Sequence, residues 1–446
     1  MQRDAIKQLI EWKNSKYRKP LILQGARQVG KTWLMKEFAR TQYKNYAYVT
    51  FDRSDTLRGI FSAEISILRL LEAIEIESGE KIYPKETLII LDEIQECPEA
   101  LTTLKYFCEQ APEYHIIVAG SLLGVSLSGT GFPVGKVDFM TLYPLSFLEF
   151  IDATENKKFR NIIQKMDFDL LKPFKNKIIN ILKQYLYIGG MPEGVNNFRE
   201  NRDYVEVRKL QRNILNAYEQ DFSKHTTSTM AERIRGLWLS IPSQLAKENK
   251  KFIYGAIRQG AKAREYEQAI NWLRDSGLIY KISKITKPNI PIHAYEELNI
   301  FKLYILDVGL LGALSGLSVK TILEDNKIFT EFKGALTEQY VLQQIKIDTY
   351  KPLHYWTSKS NEAEIDFITQ FEDIIVPIEV KATTNLKAKS LIQYRKEYSP
   401  PKSIRTSLAD FEINHGLYNI PLYMIGNIDQ ILSISDEASQ LKLFNF

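Results

Sequence analysis

The chain has 446 residues, 59 basic against 54 acidic, with a net charge of +5 and 44% hydrophobic content. That is enough apolar material for buried cores, and at roughly 150 residues per domain the length predicts about three domains. Two cysteines without paired spacing (Cys97, Cys108) and five scattered histidines support neither a disulfide framework nor a zinc site, while so mild a positive charge permits DNA contact without arguing for it.

Residues Met1 to Lys19 carry charges throughout (Arg3, Asp4, Lys7, Glu11, Lys13) and read as an amphipathic helix, not a signal peptide. The apolar run Leu21-Ile22-Leu23 predicts a strand, and Trp33 to Arg40 a helix. Between them stands Gly25-Ala26-Arg27-Gln28-Val29-Gly30-Lys31-Thr32, a complete G-x-x-x-x-G-K-[ST] phosphate loop. Its glycines let the backbone wrap the β- and γ-phosphates, Lys31 supplies a point charge, and Thr32 supplies a hydroxyl ligand for Mg²⁺. Gly25 to Thr32, with Trp33 following, are the expected ATP-binding residues.

Tyr46 to Phe51 predicts a second strand, and Thr87-Leu88-Ile89-Ile90-Leu91 a third, buried on both faces. This third run ends in Asp92-Glu93, which suit Mg²⁺ retention (Asp92) and polarisation of a water (Glu93). A fourth run, His115 to Ala119, leads into Gly120-Ser121, which places the Ser121 hydroxyl beside the γ-phosphate if this strand lies between the first and third. Alternation of strand and helix continues to Phe139-Met140-Thr141-Leu142-Tyr143 and stops at Pro144-Leu145-Ser146-Phe147. Residues 155 to 243 are helical by pattern, broken at Gly189-Gly190-Met191-Pro192. Helical spacing at Ser243 to Ala246 and at Glu265 to Leu273, then Asp275-Ser276-Gly277 and the strand-like Leu278 to Ile282, have winged-helix character. The apolar stretch Leu303 to Val319 is too short, and too interrupted by Asp307 and glycines, to cross a bilayer, so a cytoplasmic protein without a membrane partner is expected.

The last third holds a second constellation. Glu364 to Thr369 and Ile375 to Ala382 alternate in polarity around Glu372-Asp373, which predicts a hairpin. A two-residue turn there puts Asp366 directly opposite Glu379, with Cβ atoms about 5 Å apart. Carboxylates held so close need a proton or a cation between them, and a divalent metal (Mg²⁺ or Mn²⁺) on Asp366 and Glu379 is the natural solution. Lys381 projects from the same face as Glu379, and Glu338, on an upstream helix, is a further ligand or base. The order of a helix at 330 to 347, strands near 353, 364 and 374, a helix at 386 to 398 and a strand at 403 to 408 resembles the PD-(D/E)XK nuclease superfamily.

Those motifs, together with Leu91-Asp92-Glu93-Ile94-Gln95, Lys302 to Leu310 and Ile378-Glu379-Val380-Lys381, resemble the prokaryotic AAA-type ATPases that carry a C-terminal domain of unknown function 4143. The resemblance covers nearly the whole chain. It implies an α/β fold: an AAA+ P-loop core with a parallel sheet (1–155), a helical linker (156–242), a winged-helix segment (243–288) and a PD-(D/E)XK nuclease-like α/β domain (289–446). Gly135-Lys136 stands where a Gly-Arg pair is expected, which leaves the charge-sensing arginine to Arg27 or to a neighbouring subunit of a homo-oligomer. Two functions follow. One is an Mg-ATP-driven ATPase whose nuclease-like effector acts on DNA, with Lys31, Asp92, Glu93 and Ser121 in the ATPase and Glu338, Asp366, Glu379 and Lys381 in the nuclease. The other is a nucleotide-gated switch whose C-terminal domain binds DNA or protein without cutting.

Overall fold

Five short, mostly apolar strands build the first sheet: β1 (Leu21–Gln24), β2 (Asn45–Thr50), β3 (Thr87–Asp92), β4 (His115–Ala119) and β5 (Asp138–Thr141). The structure is a computed structural model that describes residues 1–63, 66–121, 133–154, 157–247, 249–323, 330–348 and 351–434. Every residue of β3 and β4 is buried, as expected of parallel strands covered on both faces. All pairings are parallel, in the order β2-β3-β4-β1-β5, so β4 does lie between β1 and β3. One face of this sheet packs Ile22, Ala47, Val49, Ile89, Leu91, Ile116 and Val118 into a single core with Leu70, Ile74, Leu104 and Phe107 from the flanking helices.

The chain divides into two compact bodies. The first comprises Gln2–Tyr143 with Asn271–Leu278; the second comprises Pro144–Ile270 and Ile279 onward. The division at Tyr143 precedes the expected one at residue 155 for a local reason. Leu145 donates its N–H to the Gly190 carbonyl at 2.7 Å and Phe147 donates its own to Gln344 Oε1 at 2.7 Å, so Pro144 to Thr154 belongs by bonding to the second body.

The second body opens with helices at Phe147–Thr154, Lys157–Gln164, Phe168–Ile188, Pro192–Asn201, Tyr204–Lys224 and Ser228–Leu245. Asp167, Asp203 and Thr227 cap three of them with side-chain oxygens. Eight further strands form one mixed sheet: β6 (Ile279–Ile285), β7 (Glu296–Ile305), β8 (Leu353–Thr357), β9 (Glu364–Phe371), β10 (Ile374–Val380), β11 (Ser403–Ser407), β12 (Glu412–Asn414) and β13 (Leu417–Pro421). Their order is β12-β13-β11-β10-β9-β8-β6-β7. The β9–β10 hairpin turns at Glu372-Asp373 and pairs Phe371 with Ile374 through to Phe367 with Ile378, the register that the two-residue turn dictates.

The segment expected as a winged helix contains the helix ending at Leu245, the helix Ala263–Asp275 and β6. Its boundary at 288 falls inside the β6–β7 hairpin, and β6 also pairs with β8 at Lys284 and Tyr355. Backbone pairing thus carries one sheet across the expected division. No helix among the described residues is long and apolar enough to cross a membrane; the Leu303–Val319 stretch falls largely in β7 and the buried helix Val308–Leu314.

Candidate functional site

The phosphate loop joins β1 to the helix Lys31–Gln42. At Gly25 the backbone takes φ +141° and a Cβ would stand 2.3 Å from the Leu142 carbonyl oxygen, so only glycine fits. Gly30, left-handed at φ 96°, ends the loop and leaves the unpaired N–H groups of the helix's first turn for an anion. Lys31 is buried, and its Nζ donates to the carbonyls of Gly25 and Ala26 at 2.9 Å each. Burial pulls its pKa down to about 8, against the opposing pull of Glu93 and Asp92. Trp33, one residue past Thr32, is 42% exposed.

Thr32 Oγ1 donates to Asp92 Oδ2 at 2.6 Å, joining the loop to the end of β3. Two further donors hold the same carboxylate: the Tyr48 hydroxyl on β2 at 3.2 Å and the Glu93 N–H at 3.0 Å. Burial nonetheless pushes the Asp92 carboxyl above its ordinary value, so the site favours a cation beside it. A hydroxyl and a carboxylate already in contact are the donor set Mg²⁺ takes next to phosphates, and the residues fit that ion. Glu93 adopts a left-handed backbone, φ 50°. Its Oε2 accepts from Gln95 Nε2 at 2.5 Å and from Ser121 Oγ at 3.3 Å, and Gln95 Nε2 also reaches Ser121 at 3.2 Å. The structure therefore brings Lys31, Thr32, Asp92, Glu93 and Ser121 to one end of the sheet. It adds Tyr48, whose role depends on strand order, and Gln95, which closes the Leu91–Gln95 motif but had no role assigned to it. Lys136 makes an ion pair with Glu109 at 2.9 Å, near the surface.

The second body assembles the other predicted cluster. Asp366 and Glu379 occupy the positions that follow the Phe367–Ile378 pair, and Asp366 Oδ2 accepts the Val380 N–H at 2.8 Å. Lys381 Nζ donates to Glu379 Oε1 at 2.7 Å, while Glu379 Oε2 is buried without a hydrogen-bond partner. Glu338 arrives from the helix Thr330–Asp348 and accepts from the Tyr304 hydroxyl at 3.0 Å.

Two lysines that sequence reasoning missed complete the group. Lys250 bonds Glu338, and Lys302, with no exposed surface, bonds Glu364 and lies 4.6 Å from the centre of the Tyr355 ring. Four carboxylates (Glu338, Glu364, Asp366, Glu379) thus meet three ammonium groups. Burial would push Glu338 up, but Lys250 and Lys302 outweigh it and hold the carboxyl below its ordinary value. Asp366 goes the other way: burial first, then repulsion from Glu338 and Glu379, raises it well above the usual carboxylate range. Glu379 is raised by burial despite Lys381. The lysines occupy much of the donor capacity a metal would use, and only the orphaned Glu379 oxygen calls for a further cation.

The remaining resemblance motifs serve structure. A Cβ at Gly190 would stand 2.2 Å from the Leu145 carbonyl oxygen, and the Gly190 N–H donates to Asp307 Oδ1 at 2.6 Å. Asp307 Oδ2 caps the helix Val308–Leu314 through the Leu310 N–H at 3.1 Å. Gln343 Nε2 donates to Asp307 Oδ1 at 3.0 Å while its Oε1 accepts the Val308 N–H at 3.0 Å, and Gln339 bonds both backbone groups of Ile305. The Pro144-Leu145-Ser146-Phe147, Gly189-Gly190 and Asp307-Val308-Gly309 segments therefore meet at one buried polar node.

A five-stranded parallel sheet with a phosphate loop after β1, a carboxylate pair after β3 and a hydroxyl after β4 defines a P-loop nucleotide-binding fold. In agreement, residues 17–151 match the family described as an AAA domain. Residues 333–425 match a domain of unknown function, DUF4143, and residues 179–321 match another, DUF8612. No curated protein matches the chain. Among solved structures, a Walker-type ATPase of Pyrococcus abyssi is similar at 14% identity over 70% of this chain and 95% of its own, with a TM-score of 0.45. The Orc1 protein of Aeropyrum pernix, solved in complex with DNA, is similar at 12% identity over 70% of this chain and 91% of its own, with a TM-score of 0.28. AMPPCP-bound DnaA of Aquifex aeolicus is similar at 14% identity over 61% and 85%, with a TM-score of 0.25.

Proposed function

We propose that the chain is an Mg-ATP-dependent AAA+ ATPase whose second body is an effector that engages DNA or protein. The observation that carries the ATPase reading is the pair of hydrogen-bonded links at one sheet end, Thr32 to Asp92 and Ser121 with Gln95 to Glu93, beside a complete phosphate loop. Lys31 leaves the Gly25 and Ala26 carbonyls to take the phosphate oxygens. Thr32 and Asp92 would hold Mg²⁺, which would supply positive charge to neutralise the triphosphate there. Glu93 accepts the proton of the attacking water, and Ser121 and Gln95 orient its carboxylate. Lys31→Ala should abolish nucleotide binding or turnover in a phosphate-release assay, whereas Glu93→Gln should bind ATP and leave it uncleaved. Turnover at the parent rate in Lys31→Ala, or equal loss of binding in both, sinks the assignment.

For the second body we favour binding over cleavage. A PD-(D/E)XK-like arrangement, as the resemblance implies, needs Asp366 and Glu379 free for a metal. Three lysines among four carboxylates, with Asp366 pushed toward its protonated form, support a charge-balanced network that keeps the nuclease-like layout and engages its partner elsewhere. Plasmid nicking with Mn²⁺ that is lost in Asp366→Asn would restore the nuclease reading.

A further inference from the structure

The histidines are scattered in sequence, yet two of the five meet in space. His293 lies in a short turn of helix (Ile292–Tyr295) that leads into β7, Glu296 opens β7, and His354 is the second residue of β8. Strand order places β6 between β7 and β8, so the three side chains gather at one end of that three-strand edge. A β-bulge between His354 and Trp356 marks the place where β8 departs from its register with β9.

His293 Nδ1 stands 2.5 Å from Glu296 Oε1, and His354 Nε2 stands 3.6 Å from the same oxygen. One ligand atom from each of the three residues falls within 4.8 Å of the others. The edge of a tetrahedral site with bonds of about 2.0–2.1 Å is roughly 3.3–3.4 Å, so the spacing needs only a small rotation of His293, which is largely exposed. His354 supplies the independent observation. It is 3% exposed, and neither ring nitrogen completes a hydrogen bond; burial holds the ring neutral, the form that binds a metal, despite Glu296 and the Ser283 backbone nearby. Buried imidazole nitrogens without partners are costly, and a metal removes the cost. Glu297, the next residue, pairs with Lys284 at 3.3 Å, so Glu296 is left to the histidines. The nearby cation, Lys346, donates to the Lys351 carbonyl, and burial lowers its affinity for a proton.

We propose that His293, Glu296 and His354 form a binding site for one divalent transition metal of the Zn²⁺ class, which stitches the start of β7 to β8 across β6. Two imidazoles and one carboxylate suit Zn²⁺ and Co²⁺, and they leave a fourth position for water. Oxygen-seeking Mg²⁺ and Ca²⁺ find too few ligands here.

The test uses the untagged full chain titrated with Co²⁺, then with Zn²⁺ in competition. One equivalent of Co²⁺ should give the visible absorption of a low-coordinate site, and Zn²⁺ should displace it. His293→Ala, at a largely exposed position whose loss leaves the core intact, should weaken binding at least about 10-fold, and Glu296→Gln should do likewise. Asp366→Asn and Lys31→Ala should bind the metal as the parent does. The proposal is overturned if the parent takes up no stoichiometric Co²⁺, if His293→Ala binds as tightly as the parent, or if Asp366→Asn or Lys31→Ala removes the bound ion. The last outcome would place the metal in a carboxylate or nucleotide site.

Discussion

Lys31 offers a measurement that reports directly on the geometry of its loop. Held among carbonyls and buried, its amine has a pKa of about 8. Triphosphate oxygens brought against it favour the ammonium form and return the pKa above the assay range, so nucleotide binding must draw a proton from solvent. With a starting pKa of about 8, uptake is about 0.1 proton per nucleotide at about pH 7, about 0.5 near pH 8 and about 0.9 near pH 9. Calorimetry in buffers of different ionisation enthalpy reads this number. Its sign separates the lysine from its neighbour Asp92, whose carboxyl is raised by burial and would release a proton to an arriving cation, an effect that fades as pH rises. Lys31→Arg, which stays charged throughout, should bind without uptake. Binding by the parent with no proton uptake near pH 8 to 9 would refute the picture of a half-neutral lysine folded onto its loop.

Lys302→Met removes one fully buried charge and leaves Glu364, Glu338 and Asp366 undercompensated; a loss of about 3–5 kcal/mol is expected. In a body of some 300 residues that lowers the melting temperature by roughly 5–8 °C, and an unchanged value would remove Lys302 from the network. Asp366 has a folded-state pKa raised above its unfolded one, so the folded chain holds the proton more tightly and stability falls as pH rises from the ordinary carboxylate range through the raised value. Thermal melts of Asp366→Asn should therefore gain on the parent as pH rises across that window and converge with it in acid, and a gap that moves the other way argues for a salt bridge that depends on the charge.

What the sequence made legible was local. The phosphate loop is eight consecutive residues, and the hairpin register follows from one turn, so Lys31, Thr32 and the β9–β10 pairing up to Phe367 with Ile378, beside Asp366 and Glu379, could be placed by counting. Lys250 and Lys302 could not. Each meets a carboxylate more than 60 residues away; Lys302 heads the Lys302–Leu310 motif, yet neither that motif nor a lone lysine in a loop names a buried carboxylate partner. The histidine pair hid for the same reason. The winged-helix expectation rested on two helical stretches and one strand that follow each other in sequence; which strand β6 takes as its second neighbour is decided by β8, some 70 residues later. The boundary near residue 143 was likewise set at a distance, by Gly190 and Gln344.

From Ala335 to Ile345 every residue of the Thr330–Asp348 helix is buried. A cylinder apolar on all sides could turn about its axis at little cost, because each orientation hides the same greasy surface. Gln339, Gln343 and Gln344 remove that freedom. Each spends its amide on a fixed backbone or side-chain partner, at Ile305, at Val308 with Asp307, and at Phe147. Like teeth in a keyway, they admit one azimuth and penalise the rest by whole unsatisfied amides. Glu338 rides on this shaft, one residue before the first tooth. Its aim at Lys250 and Tyr304 is thus inherited from contacts made beside it and up to two helical turns away, and a volume-matched Gln343→Leu or Gln344→Leu exchange trades a keyed helix for a bearing.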